Sequence, residues 1–444
     1  MNDPARVFAI LAGVAGLALA FAMPPGAAPD ETRHLSRVVL MSEGSFGVPG
    51  LRPPRASVPK SIPELHRAIE GPDFRAPPRR TIGELAALAA TPLDPDRRVG
   101  IANAGTYPPI VYVPQLVGVA PARWLGLGPA MLIYAGRLTS LAAWIALTWL
   151  AIRLAPARRW TLALLSLTPM AVAGAASISA DPATNAACLL FAVIAARAAA
   201  GADALATRER NALLGAALLV GVVKPGYWPL ALAALAIAPA RCGGRARQLA
   251  LAAAAGAAML VPSVGWLLLA QQSEPAPPIA GADPVAQLRF VLGDPFGFAA
   301  ILGRTLWHGL PTYWTTFVGE LGPLIVKLPA VFYALWAVLL AAVVALDAPP
   351  LAIDRAARGW LGAAFALSIL AMFAMAYLGW NPVGDPAIQG VQGRYWAPAV
   401  PMLVLASPAA GAALPRAVQW TLIGVAGASF AATVGAIFAV YYLA

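Results

Sequence analysis

Repeated apolar stretches, each about as long as a bilayer is thick, constrain the fold of this chain more than any other feature. A helix needs roughly 20 apolar residues to cross a hydrocarbon core about 30 Å thick. Such runs recur along the chain, from the first at residues 7–23 to the last at residues 418–443, and short breaks that carry arginine or proline separate them. Because 60% of the 444 residues are hydrophobic and only 11% are charged, a soluble fold would expose large apolar surfaces. The sequence therefore predicts an all-α polytopic membrane protein with a single domain, residues 1–444.

The first apolar run indicates how the chain enters the membrane. Residues 7–23 follow Arg6 and predict a retained anchor, with cleavage by a signal peptidase as the alternative. The next stretch, residues 24–106, is polar, rich in Pro and Arg, and lacks a run of span length. We interpret it as a large first extracytoplasmic loop in which residues 62–69 and 81–90 form short helices along the membrane surface.

The basic residues predict the orientation of the chain. Arg153, Arg158 and Arg159 follow a span and form a short basic loop, which is typical of the cytoplasmic side. If successive apolar runs cross the membrane in alternate directions from that loop, the chain has about eleven transmembrane helices. Residues 271–322 and 381–394 are then the second and third extracytoplasmic loops. The net charge of +11 is therefore an orientation signal, and we expect no nucleic-acid partner.

One apolar run is interrupted at its centre. The pentapeptide KPGYW, which begins at Lys224, divides residues 213–240 into halves of roughly 20 Å, each short of a full crossing. Two short helices that meet in a recessed tip at Lys224 fit this pattern. The alternative, a single kinked helix, would reverse the orientation of every later segment.

Polar residues gather at one membrane face in this threading. An ionised side chain inside a span costs roughly 2.5–3.5 kcal/mol, so it requires a partner or a watery cavity. Taken singly, each polar residue is explained by an inter-helix pair that holds the bundle; together they favour a binding chamber. The candidate site residues are Asp30, Glu31, His34, Asn103, Tyr107, Asp181, Asn185, Lys224, Tyr227, Gln392, Arg394 and Tyr395.

Two kinds of charged residue in this set are suited to group transfer. Asp30 and Glu31 lie just beyond the first span, where a carboxylate can act as general base for an incoming hydroxyl; a solvated helix cap is the alternative. Lys224 and Arg394 are suited to bind a donor phosphate, and their alternative role is to neutralise carboxylates such as Asp181. The other members of the set would contact substrate, although its aromatic residues also fit the interfacial belt of a membrane protein.

Motifs that identify several other enzyme classes are missing from the sequence. It has no Walker loop, dinucleotide fingerprint, HExxH helix or Gly-x-Ser-x-Gly elbow. This argues against nucleotide hydrolysis, zinc peptidase and serine hydrolase chemistry, and no metal site is predicted.

Six short segments, in order along nearly the whole chain, carry a resemblance to a known family. They are PDETRHLSRVVLMSEG (29–44), YPPIVYVP (107–114), LTPMAVAGAASISADPATNA (167–186), KPGYWPL (224–230), FVGELG (317–322) and QGRYWAP (392–398). Together they resemble the bacterial polytopic membrane proteins catalogued as domain of unknown function 2142, which are related to the GT-C superfamily of glycosyltransferases. This chain departs from the family pattern at Thr32-Arg33, where a small residue and a proline are usual.

The resemblance implies a GT-C-like helical bundle and a glycosyltransferase in the bacterial inner membrane, surrounded by membrane lipids, with its active site facing the periplasm. The donor would be a polyprenyl-phosphate sugar, and the acceptor a glycan, a lipid or a protein. Transfer would invert the anomeric carbon, with Asp30, or failing that Glu31, as the base. No cofactor is required, and a divalent cation is left open. The alternatives are a transporter or flippase of lipid-linked sugars and a non-catalytic scaffold for envelope assembly.

Overall fold

The protein is built almost entirely from helices. The computed structural model describes residues 3–47, 56–101, 105, 107–271, 280–348, 350–408 and 413–443. Within these residues, six helices are long and apolar enough to cross a membrane, or seven if one pair of helices bent by 106° forms a single span. The chain is therefore an all-α membrane protein. The six are α1, α6, α9, α12, α16 and α18, and the bent pair is α13 with α14, as bounded below.

The described residues contain eighteen α-helices. The first nine are α1 (Pro4–Ala22), α2 (Glu31–Ser42), α3 (Ser61–Glu70), α4 (Ile82–Ala89), α5 (Val113–Trp124), α6 (Pro129–Leu154), α7 (Arg159–Ser166), α8 (Pro169–Ala175) and α9 (Asp181–Ala200). The others are α10 (Thr207–Val223), α11 (Pro239–Cys242), α12 (Arg245–Gln271), α13 (Pro284–Gly293), α14 (Pro295–Val318), α15 (Ala330–Leu346), α16 (Arg355–Trp380), α17 (Val400–Ala406) and α18 (Arg416–Tyr441). Three 3-10 helices are Pro109–Tyr112, Trp228–Ala236 and Gly393–Trp396.

Two small antiparallel ladders complete the fold. Strand β1 (Ser57–Pro59) pairs with β2 (Arg98–Gly100), with Val58 opposite Val99. Strand β3 (Glu320–Leu321) pairs with β4 (Val326–Lys327) in a tight hairpin. The first ladder joins the beginning and the end of the segment that contains α3 and α4, so that this segment closes on itself.

Several predicted elements are confirmed as helices. The first apolar run is α1, and the two short helices predicted within residues 24–106 are α3 and α4. Helix α4 begins with a capping box, in which the Thr81 hydroxyl accepts from the Glu84 backbone N–H and the Glu84 carboxylate accepts from the Thr81 backbone N–H. No helix of span length occurs in the described part of residues 24–106, as the sequence predicted.

Residues 271–322, predicted as the second extracytoplasmic loop, contain two helices. Helices α13 and α14 occupy residues 284–318, and the carboxylates of Asp283 and Asp294 cap their N-termini. Arg304 and His308 lie within α14 and interrupt its apolar pattern, so a search for uniform apolar runs does not recognise this helix.

Other predicted crossings consist of shorter helices. Helices α7 and α8 have 8 and 7 residues, and α17 has 7. At 1.5 Å per residue, none of them spans the hydrocarbon core alone. The predicted count of about eleven crossings is therefore not confirmed, and neither is a GT-C type of bundle.

The apolar run around Lys224 is broken as predicted. Helix α10 ends at Val223, and a 3-10 helix begins at Trp228 after a connection that contains Pro225 and Gly226. Gly226 has a φ angle of +114°, which side chains with a Cβ rarely adopt. The break therefore depends on the Pro-Gly pair, which stops α10 and reverses the chain locally.

Small residues allow the central helices to approach closely. Helix α6 packs against α1, α5 and α9, and the 3-10 helix Trp228–Ala236 packs against α12 and α16. A Cβ at Gly118 of α5 would overlap the backbone carbonyl of Ala135 in α6. Such contacts between small residues are the usual means of packing helices within a bilayer.

Arg158 and Arg137 are both buried. Arg158, predicted as part of a basic cytoplasmic loop, donates to the backbone carbonyls of Val344, Asp347 and Ser407. It thereby holds the ends of α15 and α17 beside the start of α7. The other is Arg137, in the middle of α6.

Arg137 uses all five of its N–H donors. Its Nε and Nη2 donate to the two carboxylate oxygens of Glu31 at 2.8 and 2.6 Å. The remaining donors reach the backbone carbonyls of Ala20, Met23 and Pro24 at 2.7–2.9 Å. These carbonyls belong to the end of α1 and to the turn that follows it, where helical partners are missing.

Glu31 is equally saturated. Besides Arg137, its carboxylate accepts from the backbone N–H groups of Gly26, at 3.0 Å, and Ile178, at 3.1 Å. Both charged side chains are fully buried. The pair therefore fixes the start of α2 to α6 and to the connection between α8 and α9.

We predict that Arg137→Met lowers the free energy of unfolding by about 3–5 kcal/mol, because it leaves the Glu31 carboxylate buried and unpaired. Equilibrium unfolding in mixed detergent measures this change. The matched control is Arg97→Met, which breaks an exposed pair with Asp94 whose side chains are 66% and 37% exposed. The control should leave the unfolding midpoint unchanged. Equal midpoints for both variants would show that the buried pair has no such role.

Candidate functional site

A cavity of about 650 Å³ lies where residues 24–106, the break at Lys224 and residues 381–394 meet. It brings together side chains that are distant in sequence. The predicted site residues in its wall are Asp30, Tyr107, Lys224, Tyr227, Gln392, Arg394 and Tyr395. The convergence that the sequence predicted is thus present for these seven.

Asp30 presents its carboxylate to the cavity. It precedes the first residue of α2 and has a φ angle of 55°, in the left-handed region that Asp tolerates better than most residues. Its side chain is 54% exposed and lies 3.2 Å from Arg33. Leu324, another cavity residue, also has a positive φ angle of 66°. Two strained residues at one cavity are typical of a functional site.

Lys224 lies at the floor of the cavity. Its ammonium group is 2.9 Å from the Asp181 carboxylate, at the start of α9. The same group lies 5.3 Å from the ring centre of Tyr107 and 4.8 Å from that of Tyr395. Because the side chain is only 14% exposed, the carboxylate and the two ring faces replace most of the water around it.

Arg394 provides a second cation beside the same carboxylate. Its Nε lies 3.8 Å from Asp181, and its guanidinium group lies 5.2 Å from the ring centre of Tyr395. Nε has no hydrogen-bond partner within the described structure. Two cations therefore share a single carboxylate, and one of them retains an unused donor.

A 3-10 helix positions Arg394. The preceding residue, Gly393, is buried, and a Cβ there would overlap the backbone carbonyl of Tyr313 in α14. The Gly393 N–H donates to the Thr316 hydroxyl at 2.7 Å. The hydroxyl of Tyr227 donates to the carbonyl of Tyr395 at 2.8 Å. Close packing on α14 thus fixes the segment that carries Arg394.

Some predicted residues lie away from this cavity. Glu31 faces Arg137 within the helix packing, with both carboxylate oxygens in hydrogen bonds, so the acidic pair is divided between a buried and an exposed member. Asn185 lines a smaller cavity, of about 50 Å³, together with Asp181. Asn103 lies outside the described residues.

The comparison with known protein families matches almost the whole chain. A family model described as predicted membrane protein (DUF2142) covers residues 14–403. The chain belongs to this family. No curated protein and no solved structure matches it. The match includes every element that lines the cavity, and it supports a membrane protein without specifying an activity.

Sequence reasoning missed several residues of this DUF2142 protein that matter to the site. Arg137 carried a usable signal, because a lone arginine in the middle of an apolar helix requires a partner. Arg33, Glu70, Phe74 and Trp380 also line the cavity but carry no local pattern that separates them from ordinary surface residues. Within the described residues, no group of three or more His, Cys, Asp or Glu side chains could hold a metal ion.

His34 stands behind the cavity wall in α2. Its Nδ1 lies 2.7 Å from the Tyr112 hydroxyl, and its ring lies 6.0 Å from that of Tyr107. Removal of the ring from water lowers the pKa of His34 from 6.5 to about 4, although the nearby Asp30 and Asp181 carboxylates oppose the change. The imidazole is therefore neutral at physiological pH in this family member.

We predict that the His34 side chain makes the fold less stable as the pH falls from 6.5 to 4. In this window the unfolded chain binds a proton at the histidine and the folded chain does not, so each pH unit lowers the free energy of unfolding by about 1.4 kcal/mol. Unfolding curves of wild type and His34→Gln between pH 7.5 and 4.5 measure the difference. The His308→Gln variant, at an exposed position, serves as control. A wild-type slope retained in His34→Gln would contradict the assignment.

Proposed function

We propose that this protein is an inverting glycosyltransferase that takes a sugar from a polyprenyl-phosphate carrier. The observation that carries the proposal is the shared cavity, in which the exposed carboxylate of Asp30 faces the same space as Lys224 and Arg394. A carboxylate that can accept a proton and cations that can hold a phosphate are the two requirements of metal-independent transfer from a phosphodiester.

The charge at the floor of the cavity supports a phosphate ligand. Lys224 and Arg394 are both mostly buried and share the single negative charge of Asp181. The cluster therefore carries one surplus positive charge in a region of low dielectric, where a bound anion is held strongly. Arg394 lines the cavity, so its guanidinium group can donate hydrogen bonds to a phosphate oxygen bound there.

An apolar groove beside the cavity supports a lipid-linked donor. It measures about 610 Å³ and is lined by residues such as Trp228, Gly256, Leu370 and Ala374. Trp228 of the groove follows directly on Tyr227 of the cavity wall, so the groove and the cavity adjoin at the start of this 3-10 helix. A polyprenyl tail in the groove would leave its phosphate near Lys224.

The proposed reaction balances with the residues of the chain. Asp30 accepts the proton of the acceptor hydroxyl as the acceptor oxygen bonds to the anomeric carbon of the donor. The bond from that carbon to the phosphate oxygen breaks, and polyprenyl phosphate leaves with the bonding electrons beside Lys224 and Arg394. Glu31 is not available as the base, because both of its oxygens are engaged in hydrogen bonds in a buried pair.

The distribution of basic residues supports a periplasmic cavity in a bacterial inner membrane. Helix α9 begins at Asp181 in the site and carries Arg197 in its last turn. Helix α10 runs in the opposite sense, with Arg208 and Arg210 in its first turn and Lys224 at its end. The arginines of these two helices thus lie at the ends away from the cavity, the pattern of a cytoplasmic face.

The alternative of a transporter or flippase receives less support. A transported sugar requires a polar path through the bundle. The cavity that adjoins the site at Arg394 measures only about 50 Å³, and the next, which shares Asn185 with it, about 30 Å³. Neither holds a sugar in this conformation.

We predict that Asp30→Asn lowers the rate of sugar transfer at least 100-fold, because it removes the base while Asn tolerates the same left-handed backbone. Transfer from a panel of undecaprenyl-phosphate-linked hexoses measures the rate. Affinity for undecaprenyl phosphate should stay within about twofold of wild type. The matched control is Asp94→Asn, in a similar exposed pair with Arg97. Full activity of Asp30→Asn would remove the base assignment.

We predict that Lys224→Met weakens the binding of undecaprenyl phosphate about 10- to 100-fold, the effect of losing a hydrogen bond from a charged group. Native mass spectrometry of the purified protein with this lipid measures the affinity. Lys327→Met is the control, because Lys327 is 65% exposed and outside the cavity wall. An unchanged affinity in a folded Lys224→Met protein would count against the phosphate role.

A further inference from the structure

Aromatic side chains at the mouth of the cavity have no part in the donor site. Phe74, in the connection between α3 and α4, is 46% exposed, and Trp380, the last residue of α16, is 49% exposed. Both line the cavity that contains Asp30. They come from separate segments of the chain, so the mouth has an aromatic surface on two elements.

Planar polar side chains accompany these rings. Arg33 is 62% exposed beside Asp30, and Glu70 is 30% exposed, with one oxygen 3.2 Å from Nε2 of His66. Gln389 is exposed and uses its amide nitrogen to donate to Asp385, which leaves its amide oxygen free of described partners. The three side chains together offer a guanidinium, a carboxylate and an amide group at the same mouth.

This combination matches one chemical class of ligand. A pyranose ring has apolar C–H faces that pack on aromatic rings, and adjacent hydroxyls around its edge that exchange hydrogen bonds with planar polar groups. Arg33, Asp30 and Glu70 together carry one net negative charge, which does not favour an anionic ligand. A peptide acceptor would require free backbone groups to pair with.

Given the proposed transfer reaction, we infer that this mouth is the acceptor subsite and that the acceptor is a neutral saccharide. Phe74 and Trp380 hold its ring, and Arg33, Glu70 and Gln389 orient its hydroxyls. One hydroxyl then reaches the Asp30 carboxylate, which lies between the mouth and the donor phosphate site. Arg33 both contacts Asp30 and faces the acceptor, so it couples acceptor binding to the base.

The test measures binding of the full-length protein, in detergent, to an array of immobilised ligands. The array carries neutral oligosaccharides of glucose, galactose, mannose, rhamnose and N-acetylglucosamine, together with Ser- and Thr-containing peptides. Wild type should retain at least one oligosaccharide, and Phe74→Ala and Trp380→Ala should each reduce its affinity about tenfold through lost ring packing. Trp380→Phe, which keeps a ring, should restore most of it.

Matched controls separate this site from a general aromatic belt. Phe46→Ala and Trp307→Ala remove rings that are 50% and 73% exposed and lie outside the cavity wall, and both should bind like wild type. The inference would be overturned if the protein retained only peptides or no oligosaccharide. Equal oligosaccharide affinity in the cavity variants and in the control variants would also overturn it. Binding of undecaprenyl phosphate, measured on the same samples, should not change. If the wild type did not bind undecaprenyl phosphate, the donor proposal would be refuted, and the saccharide result would not be affected.

Discussion

The buried pair of Arg137 and Glu31 is the interaction on which the geometry of the cavity depends. Taking two charges out of water costs several kcal/mol each, and only complete hydrogen bonding compensates for it. Here every donor of the guanidinium and both carboxylate oxygens are satisfied. The partners are the end of α1, the start of α2 and the connection before α9. Because Asp30 directly precedes Glu31, the same pair determines where the exposed carboxylate lies.

The sequence predicted the convergence of charges but not the division of labour within the acidic pair. Adjacent carboxylates after an apolar span look equivalent in sequence, and both were candidates for the base. Which one faces water depends on the backbone at Asp30, whose left-handed conformation turns consecutive side chains in different directions. It depends equally on Arg137, which is 106 residues away from Glu31. The second determinant is not local, so no pattern around Asp30 could show it.

The helix pattern was predictable from long apolar runs and failed where polar residues break such a run. Helices α1 and α6 follow from length and composition alone, and the break at Lys224 follows from a Pro-Gly pair. Helix α14 was missed because Arg304 and His308 interrupt its apolar pattern. The seven-residue α17 was read as part of a full crossing, since hydropathy does not register the break that precedes it.

Asp181 shows that the structural and the functional interpretation of a buried charge are not exclusive. Its carboxylate neutralises Lys224 between the start of α9 and the end of α10, which is the inter-helix pairing that the structural interpretation requires. The second cation, Arg394, makes the cluster unbalanced, and stability alone does not explain a surplus charge in a largely buried position. Helix α10 ends before Lys224 and α16 ends at Trp380, both at the cavity, and a 3-10 helix begins there at Gly393. Broken backbone within a bilayer requires a watery or polar surrounding, so the breaks, the surplus charge and the cavity are one feature of this fold.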